Sequence, residues 1–385
     1  MSDALDVFKD SIDTFLTPVK EYLNDDSVSE IMINGPQEIF VEKGGLIERV
    51  SAQFNDEQAL QAAVRNIAQS VGRRIDEDHP TLDARLPDGS RIHAVLPPCS
   101  RKGTTLSIRK FKRGELSFMD LIRFGSLSKD AARFLDICVY LSKNVIVSGG
   151  TGSGKTSLLN VLGGRIPKSQ RIIIIEDASE LRVKADHVVY FETKPPNESG
   201  KGAVSIRDLV RSSLRLRPDR IVVGEVRGPE AIDLITAMNT GHGGSMGTTH
   251  ANSPYEALIR LETLSMMGDT QVPVSAIRRQ IAGAIHIVVQ VSRMNDGSRR
   301  VTHISEILPE VDEAGRYKVR DLYLYVQRGR TKDGKVVGEL VPTGNLPTWF
   351  NEITVNRLPF KKEKFAPPEW YRGSNERAIK KPSAA

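Results

Sequence analysis

Apolar positions along the chain change their spacing several times, and each change marks an expected element. Over residues 1–24, Leu5, Phe8, Ile12, Phe15 and Leu16 recur at helical spacing and predict an N-terminal helix. Residues 30–34 and 38–42 then predict short strands around an Asn34-Gly35-Pro36 turn, with Lys43-Gly44-Gly45 closing the second. A helix is expected over 56–71 with Asp56 as its N-cap, and further short strands within 82–111. Short strands beside a helix predict a small α+β domain over 25–112.

Residues 113–127 read as a helix and linker, and 128–142 as a further helix. Residues 144–148 are continuously apolar, the pattern of a strand buried on both faces of a parallel sheet. Similar strands are expected at 171–175, 220–223 and 285–291, with helical patterns at 157–162, 205–216, 229–238 and 254–267 between them. That alternation predicts an α/β layered domain over 128–335. Beyond about residue 330 the apolar content thins, so 336–385 reads as a polar, partly flexible extension.

Composition narrows the function classes only a little. A chain of 385 residues suits two domains of unequal size, and 39% hydrophobic with 26% charged residues excludes wholesale disorder. The net charge of +6 permits contact with nucleic acid or an anionic membrane surface without demanding either. Cys99 and Cys138, both beside apolar residues, are expected as buried free thiols of a reducing, cytosolic compartment. The N-terminus lacks the order of a signal peptide, and no apolar run approaches the roughly 20 residues that cross a bilayer. Any membrane association is therefore expected to be peripheral.

The chemistry concentrates after residue 148. Gly149-Gly150-Thr151-Gly152-Ser153-Gly154-Lys155-Thr156, followed by Ser157, fits the Walker A pattern between an expected strand and helix. Its glycines let backbone N–H groups curl around the phosphates of ATP, Lys155 would reach the β- and γ-phosphates, and Thr156 would ligate Mg2+. Two later strands run into carboxylates, Glu176-Asp177-Ala178-Ser179-Glu180 and Gly224-Glu225, where an acid can hold Mg2+ or orient the attacking water. The Gly-rich stretch from Gly241 to His250 suggests close approach to a ligand or backbone, with His250 a donor to the γ-phosphate. Arginines crowd 207–227. Arg211 and Arg215 are expected one helical turn apart on one side, within reach of a triphosphate of the same or a neighbouring subunit. In the small domain Arg85, Arg91, Arg101, Arg109 and Lys110 flank the apolar strands.

These segments together resemble the secretion ATPases of the type II/type IV superfamily, and most of all the tight-adherence (Tad/Flp) pilus assembly branch. The likeness runs from about 26 to 310 and includes GRRIDEDHPTLDARLPDGSRIHAVLPP at 72–98, IIIIEDASEL at 172–181, RDLVRSSLRLRPDRIVVGEVRGPEA at 207–231 and QVSRMNDGSRRVTHISEI at 290–307. The resemblance implies a RecA-like P-loop NTPase domain with a smaller N-terminal α+β domain, assembled as a homohexamer on inner-membrane platform proteins. It also implies Glu180 as the water-activating base, Glu225 as the Walker B acid, His250 as the γ-phosphate-facing histidine, and arginines matching Arg211, Arg215, Arg85, Arg91 and Arg109 as phosphate contacts. A conjugation or type IV secretion ATPase would share every one of these residues. A nucleic-acid motor is a weaker rival, because no aromatic-interleaved basic groove appears and no specific nucleic acid is expected.

Overall fold

In the computed structural model, which describes residues 14–86, 88–110, 116–197, 200–268 and 272–371, the alternating segments of the first third form one antiparallel sheet. Its strands are β1 (Val28–Asn34), β2 (Ile39–Lys43), β3 (Leu46–Val50), β4 (Thr81–Arg85), β5 (Arg91–Val95) and β6 (Thr105–Arg109), in the order β3-β2-β1-β6-β5-β4. One face of this sheet supplies Ile31, Ile33, Val41, Ile92, Leu106 and Ile108 to a core shared with Leu60, Val64 and Ile67. The last three lie at helical spacing on the helix Glu57–Ser70, whose first turn is closed by Asp56 Oδ1 accepting from Ala59 N at 2.8 Å. Strand β3 was hidden in the sequence because Leu46 and Ile47 are both exposed, leaving no alternation to read.

Two compact units result, Met1–Gly114 and Glu115–Ala385. Of the expected N-terminal helix, residues 1–13 lie outside the described residues. Its described end is a 3-10 turn, Thr17–Val19, followed by the short helix Lys20–Asn24. Pro18 supplies no N–H, which accounts for the break.

The second unit is built on a nine-stranded sheet. Its strands are β7 (Val145–Gly149), β8 (Ile172–Glu176), β9 (Val188–Glu192), β10 (Arg220–Val223), β11 (Met246–Thr249), β12 (Ile287–Arg293), β13 (Arg299–Val311), β14 (Tyr317–Arg330) and β15 (Val336–Pro342). The order is β15-β14-β13-β12-β7-β11-β10-β8-β9. From β12 to β9 every pairing is parallel, while β13, β14 and β15 extend the β12 edge in antiparallel fashion. Strands β7, β8 and β10 are buried along their whole length, as continuous apolar runs require. Side chains from the two faces enter separate cores, Val145 and Val147 with Phe134 and Leu159 on one side, Ile146 with Leu234 and Leu261 on the other. Among the described residues no helix is long and apolar enough to cross a membrane.

Three expectations are corrected by this arrangement. The segment 336–371 is not a polar extension: β15 is a strand of the sheet, and Phe360 and Phe365 are buried against Phe134 with ring centroids 6.1 and 5.3 Å away. A few aromatic anchors hold a segment whose average composition is polar; residues 372–385 lie outside the described residues. The helix expected over 205–216 ends at Ser213, because the chain must leave the helical region before Pro218, and Arg217 has φ 54°. Cys99 is exposed in the turn after Pro97-Pro98, whereas Cys138 is buried and its thiol is pushed well above its ordinary value by burial.

Candidate nucleotide site

Strand β7 ends at Gly149, and the chain turns before entering the helix Lys155–Gly163. Gly152 and Gly154 have φ of 68° and 96°, a left-handed conformation that strains any residue with a β-carbon. Gly149 is required for a different reason: a β-carbon there would collide with the Val291 carbonyl of β12. Ser153 Oγ donates to the Gly150 carbonyl at 2.8 Å and closes the loop from within. Thr151 is exposed on the crest, Thr156 half-buried and Ser157 exposed in the first helical turn. Turned backbone amides leading into a helix N-terminus are what an anion needs.

Lys155 is buried, and its Nζ donates to the Gly150 carbonyl at 3.0 Å. The same ammonium lies 3.4 Å from His250 Nδ1 and 3.3 Å from Nε2. His250 follows β11, and its Nε2 is 2.8 Å from Glu225 Oε1. The tautomer with a proton on Nε2 satisfies both neighbours: Nε2–H donates to Glu225, and Nδ1 accepts from Lys155. Glu225 Oε2 in turn accepts from Arg227 Nη2 at 2.6 Å, and Arg227 Nη1 donates to Asp177 Oδ2 at 3.3 Å. The result is a polar chain running Lys155, His250, Glu225, Arg227, Asp177 along the carboxyl ends of β7, β11, β10 and β8.

Its charge states follow from its order. Burial opposes ionisation of Glu225, but the hydrogen bond and charge of Arg227, then His250 and Lys155, outweigh it and hold the carboxyl below its ordinary value. Burial, then the Lys155 ammonium, pushes His250 below its ordinary value against the pull of Glu225. His250 is thus neutral near pH 7 and able to accept from Lys155.

The two glutamates of the acidic segment have different surroundings. Glu176, at the end of β8, is buried, and its Oε1 accepts from Glu180 N at 2.9 Å and Leu181 N at 3.0 Å. It braces the turn and packs so closely that a β-carbon on Gly224 would lie 2.8 Å from its Cγ. Glu180 is half-buried, in the turn that Glu176 holds through the Glu180 and Leu181 amides.

Of the arginines expected near phosphate, Arg211 is engaged with a carboxylate of its own unit. Arg211 Nε donates to Asp233 Oδ1 at 2.9 Å, while Arg207 Nε donates to Asp233 Oδ2 at 2.8 Å. Both are held on the helix Glu230–Asn239. Arg215 is exposed beyond the C-cap Leu214, so it does not share a helix face with Arg211. Arg220 is wholly buried, donating to Gln170 Oε1, Val139 O and Ser142 Oγ at 2.7, 3.1 and 2.8 Å. In the first unit Arg85 pairs with Arg91 across β4 and β5, and Arg91 with Arg109 across β5 and β6. These three arginines form one cross-strand row, where like charges repel. Arg101 is exposed, and Lys110 Nζ caps the carbonyls of Tyr22 and Asp25 at 3.1 and 2.6 Å.

Several contributors escaped the sequence reading. Arg227 had a usable signal, its place two residues beyond Glu225. Gln290 of β12 sits opposite Ser148 and donates to the Ala251 carbonyl at 3.0 Å, fixing the chain just after His250. Arg299 Nε donates to the Gly152 carbonyl at 2.8 Å. Neither of these last two has a local signal, because the fold brings them in from 39 and 147 residues away.

A model of the family described as type II/IV secretion system protein matches residues 14–320. The chain belongs to this family. A putative conjugal transfer protein of Mycobacterium tuberculosis is 35% identical over 325 residues, covering 83% of this chain and 91% of that protein. The type IV secretion system protein PtlH of Bordetella pertussis is 34% identical over 325 residues, covering 78% of this chain and 96% of its own. The X-ray structure of the Legionella pneumophila ATPase DotB shares the fold, with a TM-score of 0.52 at 20% identity over 79% of this chain and 82% of that one. Membership of the secretion ATPase family makes this chain an ATP hydrolase, and dependence on ATP and Mg2+ comes with that membership.

Proposed function

We propose that the chain hydrolyses ATP at the loop 149–156 and works as a homohexameric motor of a conjugation or type IV secretion machine. It would sit on the cytoplasmic side of the inner membrane, bound through platform proteins. The observation that carries the chemistry is the polar chain from Lys155 through His250 and Glu225 to Arg227, set beside a loop with two left-handed glycines.

In this reading the loop amides and Lys155 bind the phosphates, and His250 responds to the γ-phosphate because its partner Lys155 must turn from it toward the nucleotide. The hydroxyl of Thr156 and the carboxylate of Glu225 are the hard oxygen donors that suit Mg2+, and Ser157 and Glu176 complete the surroundings. Each Glu225 oxygen already accepts one hydrogen bond, from His250 or Arg227, and keeps a second lone pair that could face the metal. When bound, Mg2+ would supply positive charge that offsets charge developing on the phosphates. Glu180 is the proposed base for the attacking water; Glu176, holding two backbone amides, braces the turn that presents it. Arg215 and the row Arg85, Arg91, Arg109 are the candidates for phosphate contact across a ring, whereas Arg211 would first have to release Asp233.

The test is a pair of variants. Glu180→Gln should keep nucleotide binding and lose turnover, while Glu176→Gln should lower stability. An active Glu180→Gln beside a folded but dead Glu176→Gln would move the base to Glu176. Assembly of a tight-adherence pilus is the second reading, favoured by the dense matching segments such as 72–98 and 207–231. The names of the relatives favour conjugation and type IV secretion. Recovery of the bound partners from native membranes separates the two, and turnover unaffected by DNA would exclude a nucleic-acid motor.

A further inference from the structure

The hairpin between β12 and β13 reaches the phosphate loop with two arginines that neither the acidic segments nor the histidine segment accounts for. Arg299 Nε donates to the Gly152 carbonyl at 2.8 Å, and its Cδ lies 3.3 Å from where a β-carbon on Gly154 would stand. Arg293 Nη1 lies 3.3 Å from the corresponding position on Gly152. The two left-handed glycines of the loop are thus flanked by Arg293 and Arg299.

The strand that presents Arg299 is held from its other side. Ser126 Oγ donates to the Arg299 carbonyl at 2.6 Å, Val301 N donates to the Ser126 carbonyl at 3.0 Å, and Arg300 Nη1 donates to the Phe124 carbonyl at 2.5 Å. Residues 124–126 follow the helix Phe118–Arg123. They belong to the stretch through which the chain, coming from the first unit, enters the second. One three-residue piece of β13 therefore grips the phosphate loop with the Arg299 side chain and the lead-in segment with its backbone and the Arg300 side chain.

We propose that Arg299 is a positioning residue for ATP turnover that fixes the phosphate loop through Gly152 and transmits its nucleotide state to residues 124–126. The proposal rests on the nucleotide-site reading above. A guanidinium on a loop carbonyl holds the peptide so that the following N–H groups turn inward, and a triphosphate entering the loop must shift or tighten that contact. Because Ser126 and Phe124 hold the same strand, the shift reaches the lead-in segment without passing through the acidic residues.

The experiment uses the full chain, with hydrogen exchange measured with and without ATPγS, beside ATP binding and steady-state turnover. In the wild type, nucleotide should change exchange at Val301 and over 124–127. Arg299→Ala should raise KM about tenfold or more, the scale of losing one charge-assisted hydrogen bond, lower kcat less, and abolish the nucleotide-dependent change at 124–127. Arg299→Met keeps the stem beside Gly154 and carries the same expectation if the alanine variant fails to fold. Unchanged KM, or a nucleotide-dependent change at 124–127 that survives loss of the guanidinium, overturns the proposal. Lys155→Ala distinguishes the underlying reading: if it binds ATP as the wild type does, the nucleotide site itself is wrong, whatever Arg299 does.

Discussion

Both ends of the central strands carry charged and polar groups, yet those groups are held in different ways. At the carboxyl ends of β7, β10 and β11, Lys155, His250, Glu225 and Arg227 bond chiefly to one another beside the phosphate loop. At the amino ends the polar groups are locked onto backbone and onto buried neighbouring side chains. Asn144 donates through Nδ2 to the Ala284 carbonyl at 2.6 Å and accepts from Gly244 N at 2.6 Å, and Arg220 bonds to Gln170, Val139 and Ser142. Glycine has different work at the two ends. Near the phosphate loop Gly152 and Gly154 give the backbone its left-handed turns, whereas Gly244 also leaves room for the buried Arg220 guanidinium. The segment from Gly241 to His250 spans both ends, which is why its glycines resist a single explanation.

The largest effect that can test this contrast is on turnover. Lys155→Ala should reduce ATP hydrolysis by about a thousandfold, the loss seen when a main electrostatic contact to the reacting group is removed. Its unfolding free energy should stay within about 1 kcal/mol of the wild type, because removing a buried ammonium also removes its desolvation cost. Steady-state turnover and denaturant unfolding measure the two quantities. A large loss of stability would mean that Lys155 belongs to the locked kind of polar group after all.

Gly244→Ala is the converse. Its φ of 81° strains any side chain, and a β-carbon would stand on the Arg220 guanidinium, which burial has already pushed down to about 10. The expected cost is about 3–5 kcal/mol in denaturant unfolding, from backbone strain plus a displaced buried charge. Whatever protein remains folded should bind ATP normally. Weak binding in the folded fraction would place Gly244 in the nucleotide site instead.

The same contrast explains which parts were legible beforehand. A phosphate loop is readable because chemistry fixes residue types at fixed spacing, and β7, β8 and β10 because burial on both faces demands unbroken apolar runs. Strand β11, Met246–Thr249, has no such run: glycine and threonines fill the middle of the sheet because Gly247 faces Leu234 and Val226, and Thr248 Oγ1 donates to the Gly224 carbonyl at 2.7 Å. The antiparallel strands β13 and β14 carry charges on their half-exposed faces, which obscures the alternation. Residues 336–371 were misread because a few aromatic anchors decide their placement, not their mean polarity. For Arg211 the sequence shows the charge but not its partner in the fold, Asp233. Contacts such as Arg299 on Gly152 depend on strand order alone.

A smaller effect is expected at the amino end as pH falls. Burial, helped by the Lys143 ammonium and opposed by Glu352, pushes His286 from 6.5 down to about 4. Its Nδ1 accepts from Asn144 N at 3.1 Å, so a proton there would set donor against donor. Between about pH 6.5 and 4 the unfolded chain takes up a proton at this residue that the native chain refuses. Native stability from this residue is therefore complete above pH 6.5 and declines as pH falls through the window, by about 1–2 kcal/mol once its partial access to solvent is allowed for. His286→Gln should flatten that part of the stability profile relative to the wild type. An identical slope in both would show that His286 is not locked.

The smallest change, and the sharpest for the contrast, is Gly150→Ala. Unlike Gly152 and Gly154, Gly150 has no left-handed φ, and a β-carbon on it would meet nothing within 4 Å. The folded chain alone gives no reason for glycine there. Stability should therefore stay level or rise by about 0.4–1 kcal/mol, since alanine restricts the unfolded chain. If the space beside the loop is kept for phosphate, the added methyl group should nonetheless weaken ATP binding, by about tenfold or about 1.4 kcal/mol. Calorimetric titration with ATP beside denaturant unfolding separates the outcomes. Unchanged affinity would mean that the space around Gly150 is not kept for nucleotide, and that the glycines of this end are explained, like Gly244, by the protein's own atoms.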